Sequence, residues 1–127
     1  MRLRGRVIKS GEAEGKALVS RKPISFYGGV DPRRGVIIEK GHPLKGKSIA
    51  NKILVFPTGK GSTVGSYIIY RLKKNGKAPA GIINEESEPI VAVGAIISDI
   101  PMVDKVRIDR IKTGDNVRIK GGVVEID

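Results

Sequence analysis

The chain has no cysteine, no tryptophan, one histidine and only five aromatic residues in 127. Without cysteine there is no disulfide framework, no thiolate nucleophile and no ligand set for a cysteine-held zinc or iron–sulfur site. Any such cofactor has to come from elsewhere. Nor is there a run of the roughly 18 apolar residues that a membrane-spanning helix needs. The opening MRLRGRVIKSGEAEG is charged and broken by glycine, unlike the apolar core of a signal peptide. These absences lead us to expect a soluble, cytoplasmic protein. The length suits one domain, residues 1–127, able to bury about two thirds of the surface of its unfolded chain.

Acidic residues are also scarce, 13 against 24 lysines and arginines, leaving a formal charge of +11. Such a chain attracts something anionic: a nucleic acid, a phosphorylated metabolite or an acidic protein surface. The basic residues are scattered, in short pairs such as Arg33-Arg34 and Lys73-Lys74, and never form a basic tail. With so few aromatics, stacking platforms for single strands are thin, which argues against nucleic acid as the partner.

What is present is patterned. LRGRVI, KALVS and GVIIEK read as strands, the first two separated by the glycine-rich SGEAEG. KILVFP and AGIIN are continuous apolar runs of strand length, as expected for strands covered on both faces. Between them a helix is expected from Val64, with Val64, Tyr67, Ile68 and Leu72 on one face and Asn75-Gly76 as its stop. A second helix is expected over Glu88 to Ser98, broken by Pro101 and followed by a third inner strand in MVDKV. Two successive βαβ crossovers favour a small parallel sheet. The closing RIKTGDNVRIKGGVVEID alternates and turns at TGDN and KGG, as a terminal antiparallel hairpin does. The expected fold is α/β, a small parallel βαβαβ centre with β-rich terminal segments.

The stretch FPTGKGSTVGSYIIY, residues 56–70, is where chemistry is most concentrated. It fails the P-loop pattern, because Gly61 follows Gly59-Lys60 and Leu54 stands where the first glycine belongs. It keeps the physics of one: a glycine-rich turn between a buried strand and a helix, with unpaired N–H groups that favour negative charge. Two readings of Ser62 stand side by side. Ser62 or Thr63 is the helix N-cap, its hydroxyl accepting a first-turn N–H. Alternatively Gly59 and Gly61 permit close backbone approach, and Lys60 with the helix terminus stabilises an oxyanion on Ser62, making it a base or nucleophile. A Ser-His-Asp arrangement fits poorly, since the sole histidine, His42, lies in the loop-like GHPLKG with no visible pairing.

A second glycine-rich stretch, PISFYGGVDPRRG at residues 23–35, reads as a turn in which Gly28 and Gly29 take unusual backbone angles and Asp31 closes an Asx turn before Pro32. A turn alone does not ask for exposed Phe26 and Tyr27, so a loop shaped for a partner or substrate is the alternative.

The succession GKALVSRKPISFYGGVDPRRG, HPLKGKS, KILVFPTGKGSTVGSYIIYRL and GKAPAGIINEESEPIVAVGAIISDIPMVD, in this order over about four fifths of the chain, resembles the swivel-domain subunit of the aconitase X family. The resemblance implies a swivelling β/β/α domain and a hetero-oligomeric hydro-lyase. It implies that a cysteine-containing large subunit carries an iron–sulfur cluster whose iron acts as Lewis acid on the substrate hydroxyl. It makes Ser62 of GSTVGS the base that takes the proton beside the substrate carboxylate, and it makes Lys60, Gly61, Thr63 and Ser66 candidate substrate contacts. Phe26, Tyr27, Gly28, Gly29, Asp31, Arg33 and Arg34 then form a loop toward partner or substrate, and no metal is held by this chain. The implied substrate is a phosphorylated hydroxy acid, (R)-5-phosphomevalonate, dehydrated to trans-anhydromevalonate 5-phosphate in an archaeal mevalonate route; cis-3-hydroxyproline is the nearest rival within the family. A basic β-rich nucleic-acid-binding module is the alternative from another class, suggested by the charge and by TGDNVRIKGG. Aconitase proper carries an arginine two residues after its serine, where this chain has Val64, so another group must hold the carboxylate. Arg33-Arg34 also stands where a less basic pair is expected, and faces either substrate phosphate or an acidic patch on the large subunit.

Overall fold

The computed structural model describes residues 1–127. Strand β7 (Ile53–Phe56) is buried along its whole length, each residue at 0% exposure. It runs parallel to β3 (Glu12–Val19) on one side and β9 (Gly81–Asn84) on the other, and β9 is parallel to β10 (Met102–Asp104). Helix α1 (Gly65–Lys74) connects β7 to β9, and α2 (Pro89–Ile97) connects β9 to β10. Spatial order follows chain order here, and parallel crossovers share one hand, so both helices cover the same face. The pleat then sorts the apolar run of β7. Leu54 and Phe56 point to the helices, among Ile69, Leu72, Val91 and Ala95. Ile53 and Val55 point the other way, against Val117, Ile119, Val124 and Ile126.

That second face is covered by the chain's own ends. Strands β1 (Arg2–Arg4), β2 (Arg6–Lys9), β11 (Asn116–Lys120) and β12 (Val123–Ile126) extend the sheet to eight strands in the order β1-β12-β11-β3-β7-β9-β10-β2. Strand β3 serves both halves: Glu12–Lys16 pair with β11 antiparallel, Ala17–Val19 with β7 in parallel. The two ends of the order, β1 and β2, are separated in the chain by Gly5 alone, so the sheet must wrap until its edges meet. A Cβ at Gly5 would lie 2.5 Å from the Asp104 carbonyl oxygen and 2.6 Å from a Val106 methyl, so only glycine fits that corner. The result is a mixed sheet with a parallel core, folded into two layers beneath one layer of helices. The α/β expectation and the terminal hairpin, β11 with β12, both stand.

Both helices end as their sequences require. Glu88 caps α2, its carboxylate oxygens accepting the N–H groups of Ile90 (2.9 Å) and Val91 (2.7 Å), with Pro89 in the first helical position. At the end of α1, Gly76 takes φ +70°; its N–H reaches Lys73 O at 3.1 Å and that of Lys77 reaches Leu72 O at 2.9 Å, the paired bonds of a Schellman stop. The segment SGEAEG is not a long turn, because β3 already starts at Glu12 and gains its ladder from β11. In GVIIEK only β6 (Val36–Ile37) is extended, paired antiparallel with β5 (Val30–Asp31). The buried face of α1 is Gly65, Ile68, Ile69 and Leu72, whereas Val64 and Tyr67 are exposed. No helix is long and apolar enough to cross a membrane.

The edge strand β2 is held by two ion pairs, Lys9 Nζ with Asp99 Oδ1 at 3.3 Å at its end and Arg6 with Asp104 at its start. Asp104 is fully buried, and its carboxylate accepts from Arg6 Nε at 2.9 Å, Arg6 Nη2 at 2.7 Å and the Ser87 N–H at 3.1 Å. Burial pushes this carboxyl up, but the hydrogen bonds from Arg6 and Ser87 and the guanidinium charge outweigh it and hold its pKa at about 2. A carboxyl lowered on folding stabilises the native state above its unfolded value of about 4 and loses that contribution as pH falls toward 2. We expect Arg6→Ala to lower the melting temperature at neutral pH and to move the acid-unfolding midpoint, followed by circular dichroism, to higher pH. An unchanged acid midpoint would mean that Arg6 does not stabilise the carboxylate.

Candidate active site

The two glycine-rich stretches, read separately in the sequence, meet in space. Beyond β7 the chain turns at Pro57-Thr58 and forms β8 (Gly59–Lys60), which pairs in parallel with β4 (Ile24–Ser25): Ile24 opposite Gly59 and Ser25 opposite Lys60. Gly61 has φ +96°, and a Cβ there would meet Ser25 Oγ at 2.5 Å, so the loop closes on β4 only with glycine. The resulting shallow hollow is lined by Ser25, Tyr27, Gly28, Gly29, Glu39, Lys60 and Gly61.

Ser62 sits just past this hollow, partly exposed. Its Oγ accepts the Val64 N–H at 3.1 Å and its carbonyl accepts the Gly65 N–H at 2.9 Å, a serine turn leading into α1. It is not the helix N-cap, and neither is Thr63: Val64 holds that position with no side-chain cap, and the Thr63 hydroxyl is exposed with no hydrogen-bond partner. The reason is geometric, since the extra turn at 62–65 places the hydroxyls ahead of the first helical residue. The N–H groups of Gly61, Ser62 and Thr63 donate to no acceptor in the chain. Three unpaired N–H groups at the N-terminal end of a ten-residue helix favour an anion. An N–H already directed at Ser62 Oγ likewise favours its ionised form.

The remaining candidates divide. Lys60 Nζ lies 3.2 Å from Glu39 Oε2, so its charge is held by a carboxylate. Ser66 donates to Ile90 O at 2.6 Å, tying α1 to α2. Tyr27 is 54% exposed, but Phe26 is 1% exposed, with its ring 6.2 Å from Phe56: it belongs to the core, which corrects the expectation of an exposed pair. Asp31 closes the turn, accepting from the Arg33 N–H (2.9 Å), the Arg34 N–H (3.3 Å) and Arg34 Nε (2.7 Å); these bonds, Arg34's first, lower its pKa. That turn lies against the far end of α1, where Asn75 Nδ2 donates to Pro32 O at 2.7 Å. Arg33 and Arg34 therefore stand about 15 Å, one helix length, from the Ser62 end. His42 is buried and structural: Nδ1 accepts the Leu44 N–H at 3.0 Å and Nε2 faces Pro23 O at 3.1 Å.

Glu39 was not singled out from the sequence. One of its carboxylate oxygens is buried without a partner while the other holds Lys60. A lone glutamate after a short strand carries no spacing signal; only the fold brings it to the hollow. No group of three or more His, Cys, Asp or Glu side chains is placed to hold a metal ion.

This fold and this loop belong to a known class. A family profile described as the aconitase X swivel domain matches residues 2–126, and the chain belongs to that family. It is 59% identical over 127 residues to the phosphomevalonate dehydratase small subunit of Thermococcus kodakarensis, covering 100% of this chain and 96% of that one. The small subunit of the same name from Methanosarcina acetivorans is 58% identical over 131 residues, covering 99% and 91%. The crystal structure of Thermococcus kodakaraensis aconitase X in its holo-form superposes with a TM-score of 0.98 at 60% identity, covering 100% of this chain and 98% of that chain. The solution structure of a UPF0107 protein superposes at 0.91 with 47% identity, covering 100% and 99%.

The serine turn makes a stability prediction. Ser62→Ala removes one hydrogen bond at a partly exposed site and should cost about 0.5–1.5 kcal/mol, whereas Thr63→Ala should cost close to nothing. Urea unfolding of both variants checks this; a larger loss for Thr63→Ala would restore it as the cap.

Proposed function

We propose that this chain is the small subunit of a hydro-lyase that dehydrates (R)-5-phosphomevalonate to trans-anhydromevalonate 5-phosphate, with Ser62 as the proton-abstracting base. The observation that carries the proposal is Ser62 itself: a partly exposed serine whose hydroxyl oxygen already receives an N–H, beside three further unpaired N–H groups. The full-length identity to dehydratase small subunits supports the substrate and outweighs the nucleic-acid alternative drawn from charge.

In this proposal the Ser62 alkoxide takes the proton from the carbon beside the substrate carboxylate, the C–H electron pair becomes the second bond of the alkene, and the neighbouring C–O bond breaks, its hydroxyl leaving as hydroxide that a proton from solvent converts to water. The N–H groups at 61–64 stabilise the alkoxide before transfer and the substrate carboxylate near it, the task an arginine performs in aconitase proper. Val64 needs no charge for this, since it contributes its backbone. A cluster does not fit this chain, which has neither cysteine nor a metal-holding group of side chains; its Lewis-acid chemistry belongs to the large subunit. The chain's charge of +11 favours capture of a phosphorylated acid.

Ser62→Ala, assembled with a cluster-loaded large subunit, should lose about 10²–10⁴ in turnover while assembly and the cluster's absorption spectrum stay unchanged. Retention of more than roughly a tenth of wild-type turnover would remove Ser62 from the role of base, because positioned proton transfer is worth more than that.

A further inference from the structure

Helix α2 is a surface helix without a single charged or polar side chain: its sequence is PIVAVGAII, and Val93, Ile96 and Ile97 are 47%, 49% and 54% exposed. A helix apolar all round is ordinarily buried. Only Val91, Gly94 and Ala95 are buried within this chain. Beside α2 runs α1, packed in parallel register. A Cβ on Gly65 would lie 3.0 Å from Ile90, and one on Gly94 would lie 2.6 Å from Ile69. The outer face of α1 adds Tyr67, 58% exposed and stacked on Tyr70 with centroids 6.3 Å apart, and Val64, 42% exposed next to the Ser62 turn. Exposed apolar side chains thus stand on both helices of the layer, Val64 beside the Ser62 turn, and the last turn of α1 adds the basic Arg71, Lys73 and Lys74.

We infer that the outer face of α2, together with Val64 and Tyr67, is the docking surface for the cysteine-containing large subunit; this rests on the two-subunit function proposed above. A second copy of this chain is a poorer occupant on two counts. It would bring no cysteine, and so could not complete the chemistry at the Ser62 end of the patch. It would also oppose the basic last turn of α1 to a second chain of charge +11, whereas a partner with an acidic rim complements it.

The test uses the full chain and the large subunit from the same source, with association measured by calorimetry. Val93→Glu with Ile96→Glu should weaken association by roughly a hundredfold and leave the circular dichroism spectrum and melting of the free chain unchanged. Val93→Gln with Ile96→Gln, a milder pair, should weaken it in the same direction, and Ser62→Ala should bind as the wild type does. Wild-type affinity in both folded double variants overturns the inference while the two-subunit function stands. Self-association of the wild-type chain, abolished by the variants with large-subunit binding intact, gives the face to a second copy and also overturns it. If the wild-type chain itself fails to bind the large subunit, the proposed function falls and this inference with it.

Discussion

Strand β7 is the constraint on which the rest depends. Its four residues are shared between two cores, Leu54 and Phe56 beneath the helices and Ile53 and Val55 above the wrapped half of the sheet. Truncating Leu54 or Ile53 would open a cavity in one of them, at a typical cost of about 2–5 kcal/mol. The exit of the strand is fixed as firmly: Asn84 Nδ2 donates to Phe56 O at 3.0 Å, and the N–H groups of Glu85 and Glu86 both reach Pro57 O at 3.1 Å. The Gly59–Gly61 segment therefore leaves a rigid point in a fixed direction, and its pairing with β4 sets where Ser62 stands. The loop is thus held by a stiff strand at one end, by β4 along its side and by the start of α1 at the other.

The parts of the fold legible in the sequence were those written in local chemistry. KILVFP and AGIIN announced doubly covered strands because no polar residue interrupts them, and Glu88-Pro89 and Asn75-Gly76 marked helix ends through capping geometry. The Gly59–Lys60 strand had no such mark: two residues carry no period, and its ladder comes from β4, some 35 positions earlier. For the same reason Phe26 was misplaced, since an aromatic beside Gly28-Gly29 looks exposed until Phe56 is seen beneath it. Glu39 and the closure of the sheet at Gly5 are wholly products of long-range packing.

The site was legible to a similar depth. Ser62 was named, yet which first-turn N–H its hydroxyl would take depended on a turn of 3.1 Å geometry at Val64 that no residue type specifies. Arg33-Arg34 reads as facing either substrate phosphate or an acidic patch on the large subunit, because charge is visible in sequence and position is not; in the structure Arg34 pairs with Asp31 and both arginines stand at the opposite end of α1. What distinguishes this chain is a division of labour. It carries a hydroxyl with N–H support, an anion-attracting charge and an uncovered apolar face, and no group of three or more His, Cys, Asp or Glu side chains in it is placed around a common point.

The central claim, that Ser62 removes the proton beside the carboxylate, is tested most directly by isotope exchange and not by net turnover. Assembled wild-type enzyme incubated with (R)-5-phosphomevalonate in D₂O should introduce deuterium at that carbon of the recovered substrate, read by proton NMR, and Ser62→Ala in an equally intact assembly should leave the carbon protonated. Deuterium incorporation at the wild-type rate in the Ser62→Ala assembly would contradict the account, because another group would then be the base.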